Sequence, residues 1–167
     1  KIRISIGAAN SSTDLIFKLI LDTYGLTLED LQNWGCTIVN KSQADSVSML
    51  SSGDLDGFVA MSSAPVPAIT EAAVNKKLSL IPFNPEKLQS IIQEYGYSFM
   101  TLEAGTYEFQ SEAYVTVSST EILAASNSVP ADVVYKLTRS VFENFDYFQS
   151  VRASLKSLTP ESMVQDL

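Results

Sequence analysis

Apolar residues recur first with the period of a strand and then with that of a helix along the first hundred residues. Residues 1–7 alternate in a strand-like way, and residues 13–24 have one apolar helical face that contains Leu15, Ile16, Leu19 and Ile20. The same pattern predicts further strands at 37–40, 57–61 and 78–83, and helices at 27–33, 42–51, 65–75 and 84–95. This alternation predicts an α/β fold with a mostly parallel sheet flanked by helices.

The pattern changes after about residue 100. It predicts a turn at 103–106, strand-like segments at 113–117 and 120–125, and helices at 130–144 and 147–155. We place the boundary between two parts of the chain near residues 107–113, where the α/β alternation ends. The chain starts inside a strand and stops soon after a helix start at Thr159-Pro160, so we expect both ends to be cut from a longer protein.

Two of the predicted strands run into hydroxyl-rich turns that open helices. Residues 10–13 (Asn-Ser-Ser-Thr) follow the first strand, and residues 62–65 (Ser-Ser-Ala-Pro) follow the strand at 57–61. In a parallel sheet both turns lie at the carboxyl edge of the strands, where ligands bind. Hydroxyls and free N–H groups at a helix start suit a small anion. The alternative is that these residues only cap the helix and bind no ligand. Ser11 and Asp14 alone would supply that cap, however, so capping does not explain the other hydroxyl residues.

Charge and residue usage narrow the function classes. The net charge is −8, and the 11 Lys and Arg residues form no long run, so nucleic acid is a poor partner. No apolar run approaches the roughly 18 residues of a membrane span. The chain has no histidine, the commonest metal ligand and general base, and neither turn has the glycines and lysine of a nucleotide site. We therefore expect no metal and no cofactor.

Other candidate residues have both a functional and a structural interpretation. Asp54 and Asp56 could be paired carboxylates, but they precede a strand, which places them at the sheet edge opposite the two turns and favours turn residues. Cys36 has no histidine partner in the chain. We interpret Trp34 as a packing residue. Four aromatic residues could line a ligand site, although core positions are the commoner alternative: Tyr95, Tyr97, Phe99 and Tyr107.

The chain resembles the TAXI family of solute receptors, which serve tripartite ATP-independent periplasmic (TRAP) transporters. Residues 4–14 (ISIGAANSSTD) are similar to the family segment VSVGAPGSGTE, and residues 53–59 and 65–69 are similar to its G.iDAff and G.P.pai segments. Weaker matches follow in the family's order at 80–83, 104–107, 134–137 and 142–144. Three positions depart from the pattern, because Asn10, Ser12 and Ser63 stand where the family usually has glycine. These changes narrow the space for a ligand and add polar groups.

The resemblance implies one lobe of a type II periplasmic binding protein. It implies that residues 1–107 form the second, α/β ligand-binding lobe, and that residues 108–167 form hinge-crossing strands and helices that belong partly to the first lobe. It further implies a periplasmic receptor without enzymatic activity. This receptor would capture a small organic anion, such as glutamate or another carboxylate, and deliver it to TRAP membrane subunits without itself entering the membrane. The candidate ligand contacts are Ser11, Ser12, Thr13, Ser63, Pro65 and Tyr107.

Two other classes of function stay open from the sequence. An effector-sensing domain of a regulator often shares this two-lobe fold, and a helix-turn-helix upstream of Lys1 would reveal it. A transferase or lyase on a similar fold would need catalytic groups from outside this chain, because the chain has no histidine.

Overall fold

A short parallel sheet organises the first part of the molecule. The structure is a computed structural model that describes residues 1–152, 155–156 and 158–164. Strands β1 (Arg3–Ser5), β2 (Thr37–Val39) and β3 (Gly57–Phe58) are parallel and lie in the order β2-β1-β3. The chain forms two compact units, residues 1–120 and 121–167, and the sheet belongs to the first. The predicted α/β class with a parallel sheet is confirmed.

Five helices accompany the strands in this first unit. They are α1 (Ser12–Thr23), α2 (Leu28–Asn33), α3 (Gln43–Ser52), α4 (Pro67–Asn75) and α5 (Pro85–Tyr95). Their starts follow the local sequence, because four of them have a polar side chain that accepts a hydrogen bond from the first turn: Ser11, Thr27, Ser42 and Asn84. The predicted helices are therefore confirmed to within a few residues.

The strand order creates a topological switch at β1. The chain leaves β1 through α1 and α2 to β2 on one side, and it returns through α3 to β3 on the other side. Right-handed crossovers in both directions require α1 and α3 to cover opposite faces of the sheet. Ser46 of α3 packs against β1, where its Oγ lies 2.7 Å from the buried Ser5 Oγ. In such folds ligands bind outside the carboxyl ends of the strands that flank the switch, here β1 and β3.

An antiparallel pair of strands extends this unit. β4 (Ser98–Leu102) pairs with β5 (Tyr114–Ser118), and the buried core joins α1, α5 and β5 through Ile16, Leu88, Ile91 and Val117. The predicted turn within the connecting segment is confirmed, since the Thr106 N–H donates to the Glu103 carbonyl at 3.1 Å.

Two strand predictions were wrong, since residues 78–83 and 120–125 form no strand. The strand predicted at 57–61 is present as β3, but it is shorter than predicted and only half-buried. Ile81 is 82% exposed, so its apolar side chain does not enter the core. The pattern also missed β4. Strand formation depends on a partner strand, and the sequence pattern carries no information on which segments find one.

The second unit is helical. α6 (Ala131–Glu143) follows Pro130 as predicted, and α7 (Phe145–Ser150) is shorter and begins earlier than the predicted helix at 147–155, of which residues 153–154 lie outside the described residues. The Thr159 hydroxyl accepts the Ser162 N–H at 3.1 Å and opens a short 3₁₀ helix (Ser162–Val164), as the sequence predicts. Val133 and Leu137, two apolar residues of α6, are exposed.

Candidate functional site

The first hydroxyl-rich turn is fixed by close packing against the end of β1. Gly7 has a φ of +85°, and a Cβ on this residue would lie 2.5 Å from the Thr13 Cβ. Ser11 is the N-cap of α1, with its Oγ accepting the Asp14 N–H at 3.2 Å. The N–H groups of Ser12 and Thr13 have no intrahelical acceptor, as in the first turn of any α-helix. Ser12 is exposed, so its hydroxyl is available to a ligand.

Asp14 lies at the centre of this turn and was not identified from the sequence as a site residue. The residue is only 4% exposed. Its Oδ2 accepts the Lys18 ammonium at 2.8 Å and the Asn10 N–H at 3.1 Å, while its Oδ1 lies 3.4 Å from the Asn40 Nδ2. The capping box expected for Ser11 and Asp14 is thus only half formed, because the carboxylate bonds to Asn10 instead of the N-cap.

The second turn lies beside the first because β1 and β3 are neighbours. The Met61 N–H donates to Thr13 Oγ1 at 3.2 Å, which ties the segment after β3 to the start of α1. Ser62 and Ser63 are exposed, and their hydroxyls form no hydrogen bond within the described residues. Pro65 does not open a helix as predicted, because α4 begins only at Pro67 and its N-cap, Val66, provides no side-chain bond.

Tyr107 supports the second turn through a hydrogen bond. Its hydroxyl accepts the Val66 N–H at 3.0 Å, and its ring stacks on Phe109 with 5.3 Å between centroids. The residue is 4% exposed. Of the other aromatic residues, Tyr95 and Tyr97 pack against the core, as the structural interpretation expects, whereas Phe99 is exposed. Tyr107 therefore shapes the turn, and its ring does not form an open wall.

A shallow depression of about 290 Å³ opens beside the start of α1. It is lined by Asn10, Ser11, Ser12, Asp14, Leu15 and Lys18. Of the predicted contacts, only Ser11 and Ser12 lie in its lining. Thr13 accepts a hydrogen bond from Met61. Ser63 and Pro65 lie on the second turn, and the buried Tyr107 is bonded to Val66 just after that turn. Leu15, which was assigned to the apolar face of α1, is exposed here.

The charged pair in this lining carries a recognisable sequence signal. Asp14 and Lys18 are four residues apart, the spacing at which acidic and basic side chains meet on a helix. The bond from the Lys18 ammonium lowers the pKa of Asp14, with smaller contributions from the Asn10 N–H and Asn40, while burial opposes them. The carboxylate therefore stays ionised and keeps Lys18 at the depression.

A third strand end meets the same edge of the sheet. Asn40 follows β2, and its Nδ2 donates to the Gly7 carbonyl at 3.0 Å as well as approaching Asp14. Ser42 then caps α3. Residues 40–42 (Asn-Lys-Ser) thus form a polar turn between a strand and a helix, as the first turn does. This similarity was visible in the sequence and could have identified the third turn.

The opposite edge of the sheet carries a structural ion pair. Asp56 binds Arg3 through the guanidinium, with an Nη2–Oδ1 distance of 2.9 Å, and through the Arg3 backbone N–H at 2.8 Å. These bonds lower the pKa of Asp56 to about 2. Asp54 accepts a bond from Ser52 at 2.7 Å. The interpretation of both aspartates as structural turn residues is confirmed.

Other candidate chemistry is not assembled in the described part of the chain. No group of three or more Asp, Glu, Cys or His side chains there is arranged to hold a metal ion. Among the same residues, no helix is long and apolar enough to cross a bilayer. Trp34 is 67% exposed, so the interpretation of this residue as a packing residue was wrong.

The parallel three-stranded sheet flanked by helices is consistent with part of a lobe of the periplasmic-binding-protein type. The profile of the NMT1-like family matches residues 1–167, the whole sequence. The chain therefore belongs to the NMT1-like family, which is a family of binding proteins related to the TRAP and TAXI solute receptors. Members of this type generally bind solutes outside the cytoplasm, which agrees with the general role expected from the resemblance.

Proposed function

We propose that this chain is the α/β ligand-binding part of a TAXI-type periplasmic receptor that captures a small organic anion for a TRAP transporter. Residues 1–107 would form most of one lobe, and residues 108–167 would lead into the other. The observation that carries the proposal is the position of the two hydroxyl-rich turns. They follow β1 and β3, the neighbouring strands at the topological switch, and a hydrogen bond from Met61 to Thr13 joins them.

The polar groups at this edge suit a carboxylate. The exposed hydroxyls of Ser12 and Ser63 have no partner within the described residues, and the start of α1 adds free N–H groups and a positive helix end. Ser11 and Thr13 use their oxygens as acceptors for backbone N–H groups, but each hydroxyl keeps a proton that it can donate to a ligand. Pro65 and Tyr107 serve the site by shaping the second turn.

Calorimetry on the intact protein against amino acids, dicarboxylates and 2-oxo acids tests this function. We expect one carboxylate to bind. Ser12→Ala and Ser63→Ala should each weaken its binding about tenfold or more, because a hydrogen bond to a charged group contributes about 1.5–3 kcal/mol. Neither substitution should lower the melting temperature, since neither hydroxyl bonds within the described residues.

The matched control is Ser48→Ala, which removes an exposed hydroxyl from α3. It should leave affinity unchanged. Failure of every carboxylate to bind a folded, intact sample would refute the proposed function, and normal binding by both the Ser12 and Ser63 variants would remove these turns from the site.

A further inference from the structure

The depression beside α1 exposes a cation next to a carboxylate that is hidden from solvent. The Lys18 side chain is 46% exposed, whereas its partner Asp14 is almost completely buried. The remaining lining residues are uncharged: Asn10, Ser11, Ser12 and Leu15. The ionic group that a solute meets at this surface is therefore an ammonium, although the chain as a whole carries a net charge of −8.

The Asp14–Lys18 pair has no net charge as a whole, but the bonds of Asp14 leave the ammonium able to bind a second acceptor. Its Oδ2 already accepts the Lys18 ammonium and the Asn10 N–H, and its Oδ1 faces the Asn40 amide. An ammonium has three N–H donors, and Asp14 uses only one of those on Lys18. The half-exposed ammonium therefore has donors left for a second acceptor.

The position of Lys18 on α1 places these donors beside the other polar groups. Lys18 lines the same depression as the hydroxyls of Ser11 and Ser12, and the exposed Leu15 provides an apolar surface within it. A carboxylate in the depression could accept bonds from the ammonium and a hydroxyl while its carbon chain lies against Leu15. A neutral amide of the same shape would lose the ionic part of this interaction.

From this geometry we infer that Lys18, held in place by the buried Asp14, is the residue that selects an anionic solute over its neutral analogue. This inference rests on the proposed function and deepens it, because it assigns the selection of charge to one side chain. The ligand class is a small molecule with a carboxylate head and a short carbon chain.

Matched pairs of a carboxylate and its neutral amide test the inference on the intact protein: glutarate with glutaramide, succinate with succinamide, and benzoate with benzamide. The wild type should bind the carboxylate of at least one pair about tenfold or more tightly than its amide. In Lys18→Gln this ratio should fall towards one, and in Lys18→Arg it should largely return. Lys77→Gln, which removes an exposed lysine between α4 and α5, should keep the wild-type ratio.

The outcomes separate this inference from the proposed function. If the wild type binds a carboxylate and Lys18→Gln still rejects the amide, Lys18 does not select charge, while the receptor function stands. Equal binding of carboxylate and amide by the wild type overturns the inference in the same way. If no carboxylate binds, either in these pairs or in the wider panel that tests the proposed function, both are overturned. A melting temperature measured for each variant confirms that a changed ratio does not come from unfolding, and loss of structure lowers both affinities without changing their ratio.

Discussion

The hydroxyl of Thr13 accepts the backbone N–H of Met61 at 3.2 Å, and this bond joins the ends of two neighbouring strands. Thr13 is the second residue of α1, and Met61 lies three residues after β3. The methyl side of Thr13 packs towards Gly7, at the end of β1. One side chain thus connects the start of a helix with both strands that flank the topological switch.

Replacing Thr13 with Val tests the contribution of this bond. Val keeps the shape of the side chain but leaves the Met61 N–H without its acceptor, so we expect the free energy of unfolding to fall by about 1–2 kcal/mol. Urea denaturation followed by circular dichroism measures the change. Thr37→Val is the control, because the Thr37 hydroxyl on β2 is exposed and has no hydrogen bond within the described residues. Equal stability of the two variants would show that the Met61 bond contributes nothing.

Gly7→Ala should be among the most damaging small substitutions in the chain. The new Cβ would lie 2.5 Å from the Thr13 Cβ, and the φ of +85° disfavours any side chain. We expect a loss of about 2–5 kcal/mol from overpacking and backbone strain together. Gly25→Ala is the matched control, since its φ is +68° but nothing lies within 4 Å of the added Cβ. It should cost only about 1 kcal/mol, so similar losses would argue against the steric explanation.

The local parts of this architecture could be predicted from the sequence, because their causes lie within a few residues. Ser11, Ser42 and Asn84 mark helix starts through hydrogen bonds to N–H groups two or three positions ahead. The position of both turns at the carboxyl edge of the sheet also followed, since it needs only parallel strands. That β1 and β3 are neighbours comes from the strand order, which the sequence pattern did not indicate. These signals gave the α/β class and the edge of the sheet where the candidate site lies.

The remaining features depend on contacts between distant segments. β4 was missed because its partner β5 follows a long connection, and residues 78–83 look like a strand but have no strand to pair with. The contact of Asn40 with Gly7 and Asp14 joins residues about thirty positions apart. Lys18 is different. Its spacing of four residues from Asp14 was visible in the sequence. Its role in the candidate site, however, depends on the burial of Asp14 and the exposure of Lys18, which the spacing does not indicate.

The ion pair between Arg3 and Asp56 makes the stability of the fold depend on pH in the acid range. The folded-state pKa of Asp56 is about 2, below its ordinary value of 3.8. The stabilisation is therefore fully present above about pH 4 and is lost as the pH falls towards 2. Melting temperatures between pH 2 and pH 6 should fall less steeply for Asp56→Asn than for the wild type. Arg3→Gln removes the guanidinium, the largest cause of the shift, but keeps the bond from the backbone N–H, so its plot of melting temperature against pH should be partly flattened in the same range. If the melting temperature of Asp56→Asn falls with pH as steeply as that of the wild type, Asp56 is not the source of this pH dependence.

Lys87 is expected to stabilise the carboxyl end of α1. Its ammonium donates to the Thr23 carbonyl and lies 5.3 Å from the centre of the Tyr24 ring. A cation in this position interacts favourably with both the helix dipole and the aromatic face. Lys87→Met keeps much of the aliphatic side chain and should lower the free energy of unfolding by about 1–2 kcal/mol. Lys77→Met, an exposed lysine, is the control and should have little effect. Indistinguishable stabilities would show that neither contact contributes.

Asn10 provides the last test, because it combines an unusual backbone with a place in the depression. Its φ is +60°, the left-handed region, in which asparagine is tolerated and glycine is favoured. Asn10→Gly should keep the backbone bond to Asp14 and leave stability unchanged or raise it by up to about 1 kcal/mol. Asn10→Val should lower stability by about 1–3 kcal/mol, because a β-branched residue is strained at this φ. If Asn10→Gly also leaves carboxylate affinity unchanged, the Asn10 side chain serves the turn and not the ligand. A loss of affinity at full stability would instead make that side chain a ligand contact that sequence reasoning missed.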